Sequence, residues 1–236
     1  MCGRYALTLP HEAMVQLFGA VPSNDLPEGP RWNVCPTVQV PVVTSADGAR
    51  RLVSMRWGLL PRWYETPTSG PLIINARAET VAEKPAFRDA IRERRCIVPA
   101  SGFYEWTKGP DGARLPWYFH PSDGEALAFA GLWQAWGPDA MATCAIVSCA
   151  AGPTMAEIHH REPVTLAEAD WPLWLGEAEG KAAPLMRPAP KGRIRRYRVS
   201  TSVNSNRAEG PELIDPLIEH PEPEDEPPAA SGRNTA

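Results

Sequence analysis

The segment CIVPASGFYEWTKGPDGARLPWYFHPSDGEALAFAGLWQAWGPDAMATCAIVS, residues 96–148, alternates short apolar and aromatic runs with turn residues. This alternation predicts strands at 96–99, 102–106, 117–120, 127–132 and 143–148. The pairs Asp111-Gly112 and Asp123-Gly124 between these runs are typical of tight turns. Closely spaced strands joined by such turns predict a mainly antiparallel sheet.

Outside this segment, strands and short helices are mixed without a regular strand–helix–strand repeat. Helical spacing of apolar residues predicts helices at 10–20, 83–94, 154–159 and 166–175. Further strands are predicted at 39–44, 52–57 and 194–200, with Asp47-Gly48 as the turn between the first two. We therefore expect an α+β fold, with a mainly antiparallel, barrel-like sheet flanked by short helices. One domain is predicted over 1–218, followed by a tail at 219–236.

The composition of the 236 residues is that of an ordinary globular protein, with 43% hydrophobic and 22% charged residues. It excludes a mostly disordered chain, a coiled coil and a collagen-like repeat. No run approaches the roughly 20 apolar residues of a membrane helix, and no secretory signal is recognisable. The five cysteines form no CxxC pair, which argues against disulfides and a zinc site and for a cytoplasmic location. We expect no metal, cofactor or membrane partner.

The net charge of −4 is unevenly distributed along the chain. The Pro-rich segment 219–236 has five acids and one base, so residues 1–218 are neutral in sum, and we expect the segment to be disordered. Between Lys181 and Arg207 the chain has only basic charges. This basic strip indicates either a solvated face or a phosphate-contacting surface. Within its predicted strand, Arg196 and Arg198 share one face and are expected to contact phosphate, whereas Arg195 is expected to point inward.

Cys2 becomes chemically distinctive if the initiator methionine is removed. Its free α-amine, with a pKa near 8, would be partly neutral at pH 7 and would lie next to a thiol. An aldehyde would form a Schiff base with the amine, and the thiol would then close a five-membered thiazolidine. The alternative interpretation is an ordinary second residue.

Three polar stretches could complete a site. In LIINARAE, residues 72–79, the polar Asn75, Arg77 and Glu79 alternate with apolar residues, which indicates either a buried polar face or a surface stripe. Glu105 lies between two aromatic residues, a setting that raises a carboxyl pKa and suits acid–base catalysis, although a solvent-facing edge position is equally compatible. His159-His160 could shuttle protons or form a surface turn.

These residues belong to a set of motifs that resembles the SOS response-associated peptidase (SRAP) family, the abasic-site processing proteins. The motifs are MCGRY (1–5), WNVCP (32–36), WGLLP (57–61), INARAE (74–79), GFYEW (102–106) and IHHREP (158–163). Asn204, before ELI at 212–214, fits the family's closing segment. The motifs occur in order over about residues 2–218.

The resemblance implies a chemistry and a partner. Cys2 would attack the ring-opened aldehyde of an abasic site in single-stranded DNA, Asn75 would position the Cys2 terminus, and Glu105 would act as acid and base. His159 would assist opening of the sugar ring and reversal of the link. The residues implied to contact DNA are Arg4, Asn33, Pro36, Trp57, Gly58, Pro61, Trp63, Arg77 and Asn204. No cofactor is implied, and the resemblance does not identify a protein partner.

One departure from the family pattern adds charge beside this site. Glu162 replaces a hydrophobic or basic residue before Pro163, and we expect it to raise the pKa of His159 or to weaken phosphate contact nearby. Tyr64 replaces a frequent tryptophan but keeps an aromatic face for a base.

Three functions compete at this stage. The first is a covalent DNA–protein cross-link that shields abasic sites during the SOS response to DNA damage, with lyase-like chemistry at the nucleoid. The second is a thiol autopeptidase or amidohydrolase that uses Cys2 with His159 and Asn75 and removes Met1 itself. The third is a non-catalytic module that binds single strands by stacking. The sequence favours the first.

Overall fold

The computed structural model describes residues 2–23 and 25–217 and has the expected α+β architecture. Its helices are α1 (His11–Phe18), α2 (Ala90–Glu93), α3 (Pro153–Ala156) and α4 (Trp171–Leu175). Its strands are β1 (Tyr5–Leu7), β2 (Ala20–Pro22), β3 (Arg31–Val34), β4 (Gln39–Ala46), β5 (Ala49–Trp57), β6 (Asn75–Arg77), β7 (Arg95–Ala100), β8 (Gly102–Lys108), β9 (Arg114–Pro121), β10 (Leu127–Trp136), β11 (Met141–Ala150), β12 (Arg161–Pro163) and β13 (Ile194–Arg198).

The larger sheet closes into a ring through β11. Its strand order is β12-β11-β10-β7-β4-β5-β2, and β5 also pairs with β11 in parallel, which joins the two ends of the run from β11 to β5. Short β6 pairs with β11 as well, beyond β5. The predicted sheet is therefore confirmed as mainly antiparallel and ring-like, with parallel pairs at β2–β5, β5–β11 and β6–β11.

The smaller sheet has the order β13-β9-β8-β1-β3 and packs against the ring through aromatic side chains. Phe103 on β8 stacks on Phe119 of β9 with ring centroids 4.9 Å apart, and meets Phe129 of β10 edge-on at 5.9 Å. All three rings are fully buried. Stacked and edge-on aromatic pairs stabilise a fold by more than the burial of their apolar area alone. This cluster therefore holds the two sheets together.

The β4–β5 hairpin and α1 form where the sequence predicts them. Asp47 and Gly48 both have positive φ angles, 54° and 75°, which suit a tight hairpin turn between strands with a right-handed twist. α1 ends at Gly19, which adopts a left-handed conformation with φ 58°. β13 also lies within its predicted range.

The predicted helix at 83–94 is largely wrong, since only Ala90–Glu93 is α-helical. Isolated helical turns precede it, such as Arg88 N–H to Lys84 O at 2.9 Å. Pro85 has no N–H and disfavours helical geometry at Lys84, which interrupts the ladder there. The other two predicted helices are also shorter, as α3 and α4.

Two further expectations concern chain ends and membranes. The segment 219–236, predicted to be a disordered tail, lies outside the described residues. Within the described ranges, no helix is long and apolar enough to cross a membrane.

The basic strip is oriented differently from the prediction. Arg195 is exposed, whereas Arg196 and Arg198 are half-buried and contact the same neighbour, each with its guanidinium carbon 5.4 Å from the Trp117 ring centre. Arg196 also donates to Thr154 O and pairs with the Glu157 carboxylate. The inward position predicted for Arg195 is wrong, because Arg195 is the exposed residue of β13, whereas the other four are buried or half-buried.

We expect Arg196→Ala to lower the free energy of unfolding by about 1–2 kcal/mol, because it removes a charged hydrogen bond and an aromatic contact. The matched control, Arg195→Ala, should change it by less than about 0.5 kcal/mol. Urea unfolding followed by tryptophan fluorescence measures both. Equal effects of the two variants would contradict the orientation of β13.

Candidate functional site

Cys2 is held at the start of β1, beside Glu105. β1 pairs antiparallel with β8 through Tyr5 opposite Phe103, and Tyr104 N–H donates to Arg4 O at 2.9 Å. Continuing this register toward the N-terminus places Gly3 opposite Glu105 and Cys2 one residue further, close enough for the charge of Glu105 to act on the Cys2 thiol. The Cys2 side chain is fully buried, and burial, together with the charge of Glu105, raises the pKa of its thiol to about 12. The thiol is therefore neutral at pH 7.

Asn75 connects the ring to the Cys2 backbone. It begins β6, opposite Ile146 of β11, and its Nδ2 donates to Cys2 O at 2.9 Å. Its Oδ1 is buried and accepts no hydrogen bond from any residue in the described ranges. Buried polar atoms usually have partners, so this oxygen is available to a donor on a bound molecule. The predicted buried polar face is otherwise wrong, because Arg77 and Glu79 are exposed.

Glu105 is a buried carboxyl group, 6% exposed, on β8. Burial raises the pKa of this carboxyl, and the charge of Arg114 partly offsets the effect. The direction agrees with the expectation from the flanking aromatic residues. A carboxyl with a raised pKa can both donate and accept a proton near neutral pH.

His159 lies between α3 and β12, and its ring orientation is set by the backbone. Its Nδ1 accepts a hydrogen bond from Arg161 N–H at 2.9 Å, which leaves the proton on Nε2. Burial lowers the pKa of His159, so the ring is neutral at pH 7. It stacks on His160 with centroids 4.3 Å apart, and the charge of His159 lowers the pKa of His160.

β11 brings these groups to one end of the ring. It pairs with β6 on one side, where Ser148 lies opposite Arg77, and with β12 on the other, where Ala150 lies opposite Arg161. The Arg161 guanidinium crosses between them, donating to Glu79 Oε1 at 2.7 Å and to Ser148 O at 2.6 Å. Asn75 binds the Cys2 backbone and Glu105 acts on the Cys2 thiol, whereas His159 lies in the connection between β11 and β12.

The Glu162 carboxylate is bound to the backbone through both of its oxygens. It accepts hydrogen bonds from Gly152 N–H and Ala189 N–H, both at 2.7 Å, and it is buried. Burial lowers the pKa of His159, so the expected increase is wrong. The alternative effect, weaker contact with phosphate nearby, stays a prediction.

Five of the nine residues predicted to contact DNA are buried, namely Arg4, Asn33, Trp57, Gly58 and Pro61. Arg4 donates to Asn33 Oδ1 at 2.8 Å and to Val203 O at 2.9 Å. The Trp57 ring is fully buried, and its Nε1 donates to Ile74 O at 3.1 Å. The Trp57 ring therefore has no exposed face on which a base could stack.

The other four predicted residues are partly or fully accessible. Pro36 and Asn204 are half-buried, and Asn204 Oδ1 accepts from Trp106 Nε1 at 2.6 Å. Trp63 is 59% exposed, and Arg77 is exposed.

An open groove of about 830 Å³ begins at Asn75 and extends past the exposed residues. Its apolar lining includes Trp63, Leu72 and Phe87, and its basic lining includes Arg77 and Lys84. Leu72 is 51% exposed. The sequence analysis did not predict Leu72, Lys84 and Phe87 as site residues. For Leu72, its position directly after Pro71 in a turn-rich segment could have indicated an exposed apolar residue. In the described part of the chain, no three His, Cys, Asp or Glu side chains cluster as metal ligands would.

The chain is similar to known proteins along most of its length. The family model described as "SOS response associated peptidase (SRAP)" matches residues 1–206. The abasic site processing protein YoqW of Bacillus subtilis (strain 168) is 34% identical over 224 residues, covering 91% of this chain and 99% of YoqW. The abasic site processing protein YedK of Escherichia coli (strain K12) is 29% identical over 228 residues, covering 92% and 100%.

A solved structure supports the fold independently. An X-ray structure of a protein from Bacteroides thetaiotaomicron superposes with a TM-score of 0.80 at 23% identity, covering 92% of this chain and 100% of that one. At this level of identity the similarity concerns the fold alone.

We expect iodoacetamide to alkylate Cys35 before the other cysteines of the native protein, because Cys35 is partly exposed and the other four are buried. The rate should rise with pH, since burial raises the pKa of Cys35 and only the thiolate reacts. Peptide mass mapping at pH 7, 8 and 9 measures the order, with unfolded protein as the control. Alkylation of Cys2 as fast as Cys35 would show that the Cys2 thiol is ionised or accessible at rest.

Proposed function

The chain belongs to the SOS response associated peptidase (SRAP) family, and on that premise we propose that it processes abasic sites in DNA by forming a covalent thiazolidine through Cys2. The observation that carries the proposal is the hydrogen bond from Asn75 to the Cys2 carbonyl beside a buried Glu105. Cys2 would be the first residue after removal of Met1, and this bond ties it to Asn75, which lines the groove.

The reaction needs the α-amine of Cys2, which removal of Met1 exposes. The neutral amine adds to the aldehyde carbon of the ring-opened sugar, and protonated Glu105 donates a proton to the hydroxyl, which leaves as water. Glu105, now a carboxylate, accepts the proton of the Cys2 thiol as Sγ bonds to the iminium carbon. One water is released, and the proton on Glu105 is restored. A raised carboxyl pKa suits both transfers.

The opening of the sugar ring is assigned to His159. A closed abasic sugar is a hemiacetal, and its opening requires proton transfer between the ring oxygen and the hydroxyl. His159 is held through Nδ1, and we assign the proton transfer to its Nε2. In reversal, a proton returns to Sγ as its bond to carbon breaks, one water adds to the iminium, and the amine leaves; His159 then assists closure of the released aldehyde to the hemiacetal.

The groove suits a single strand of DNA. Trp63 and Leu72 offer apolar surface for unstacked bases, and Arg77 and Lys84 offer positive charge for phosphates. Arg4 and Asn33 hold β1, β3 and the 203–208 segment together, and Trp57 donates to the backbone of Ile74, which lines the groove. Pro36, Gly58, Pro61 and Asn204 shape the backbone around it.

A thiol peptidase acting on other proteins is less compatible with the site. Such an enzyme needs a thiolate, and burial beside Glu105 holds the pKa of the Cys2 thiol at about 12. An amine-first reaction leaves the thiol neutral until the iminium has formed. We propose that residues 1–218 contain the whole activity and that the protein acts in the cytoplasm, at the nucleoid while bound to DNA.

Cys2→Ala should abolish a heat-stable cross-link to a single-stranded oligonucleotide with one abasic site, while its affinity for the strand changes less than twofold. The alanine amine can still form a Schiff base, which borohydride should trap. Denaturing gels measure both products, after intact mass has confirmed loss of Met1. A heat-stable band of wild-type intensity from Cys2→Ala would sink the thiazolidine mechanism. The absence of any band from the wild type would favour a non-catalytic module, and cleavage of a peptide reporter would favour a peptidase.

Trp63→Ala should weaken binding to an undamaged single strand by about 5- to 100-fold, because base stacking on an aromatic ring contributes roughly 1–3 kcal/mol. Val21→Ala is the matched control, since Val21 is an exposed apolar residue outside the groove lining, at 64% exposure. Fluorescence anisotropy with a labelled oligonucleotide measures both. Equal affinities of the two variants would show that DNA follows another path.

A further inference from the structure

The connection between β11 and β12, residues 151–160, determines where His159 lies. Its backbone N–H donates to Met155 O at 2.9 Å, so the residue continues directly from α3. Its ring Nδ1 accepts from Arg161 N–H at 2.9 Å. A displacement of α3 would therefore move the imidazole as well.

The Glu162 carboxylate joins the start of α3 to a distant segment. Its Oε2 accepts from the N–H of Gly152, the residue directly before α3, and its Oε1 accepts from the N–H of Ala189, both at 2.7 Å. Each oxygen thus holds one backbone donor. With 4% of the residue exposed, the carboxylate is a fixed internal link between these two segments.

The small cavity beside Glu162, about 10 Å³, has an apolar side formed by Phe103, Phe119 and Ile194 and a polar side that includes Thr154 and Lys191. It holds at most one water. Hydrogen bonds to an ionised acceptor are shorter and stronger than neutral ones. A glutamine has a single acceptor oxygen, so its amide nitrogen would face one of the two N–H groups.

Arg196 also binds α3. Its guanidinium donates to Thr154 O and pairs with the Glu157 carboxylate, both in or directly after α3. β13 is therefore tied to the body of the helix, and Glu162 to Gly152, the residue directly before it. The short helix is thus attached at both of its ends.

We propose that Glu162 is a positioning residue that fixes α3, and thereby the His159 ring, for proton transfer at the bound sugar. This inference rests on the proposed function, because it assigns Glu162 a purpose through His159. Glu162 itself does not touch the reacting atoms, since both of its oxygens are directed at backbone donors.

The first test is a double-mutant cycle on reversal of the cross-link. Glu162→Gln should slow release of intact DNA from the purified adduct by about 10-fold, part of the roughly 100-fold or more that an acid–base group contributes. In a His159→Ala background, the same substitution should slow release by less than about twofold, because residues that act through one another are not additive. Glu168→Gln, at an exposed position, is the matched control and should change nothing in either background.

The second test is hydrogen–deuterium exchange, which needs no reaction. Glu162→Gln should speed exchange in peptides covering 151–160 and leave the β4–β5 hairpin unchanged. If Glu162→Gln does not fold, Glu162→Asp replaces it in both tests, since the shorter side chain cannot reach both donors.

The outcomes separate the two proposals. Equal slowing in the wild-type and His159→Ala backgrounds, or unchanged exchange at 151–160, would overturn the positioning role. A wild-type protein that forms no heat-stable adduct would overturn the proposed function, and exchange would still decide whether Glu162 holds α3.

Discussion

The pairing of β11 with four other strands is the constraint on which the remaining structure depends. β10 and β5 use its first half to close the ring, and β6 and β12 use its second half. Because backbone hydrogen bonds fix strands about 4.8 Å apart, Asn75 and the His159 connection are placed on either side of one strand. Without this shared neighbour, nothing local would bring residues so distant in sequence into one site.

Buried charges support this arrangement from inside. Arg4 bonds to Asn33 and to the backbone at Val203, and Arg161 bonds to Glu79 and to Ser148. An arginine offers five donors in a rigid fork, so one buried guanidinium can hold several segments at once. Each such link costs desolvation energy, and the hydrogen bonds at both ends offset that cost. Arg4 and Arg161 are therefore structural: each holds separate segments of the chain together.

Burial also sets the charge states of the titratable groups at the candidate site. Burial raises the pKa values of Cys2 and Glu105 and lowers that of His159, so all three favour their uncharged forms. Groups that stay neutral until a substrate arrives suit a reaction that begins with an amine and an aldehyde. Among the described residues, the buried Asn75 Oδ1 has no hydrogen-bond donor, so the proposed substrate could supply one.

The amino-acid sequence by itself determined the fold class, the β4–β5 hairpin, α1 and the small set of motifs that indicates the family. These features depend on local spacing, turn chemistry and residue identity, which a sequence contains in full. The apolar character of the segment around Glu105 also indicated the raised pKa of this residue, whose cause in the structure is burial of the carboxyl group on β8. Only the tertiary structure decided that Trp57 and Arg4 are internal, that Arg195 is exposed, and that Glu162 holds α3. Each of these depends on which strand or loop lies opposite, and such long-range pairing leaves no periodic signal in the residues that it joins.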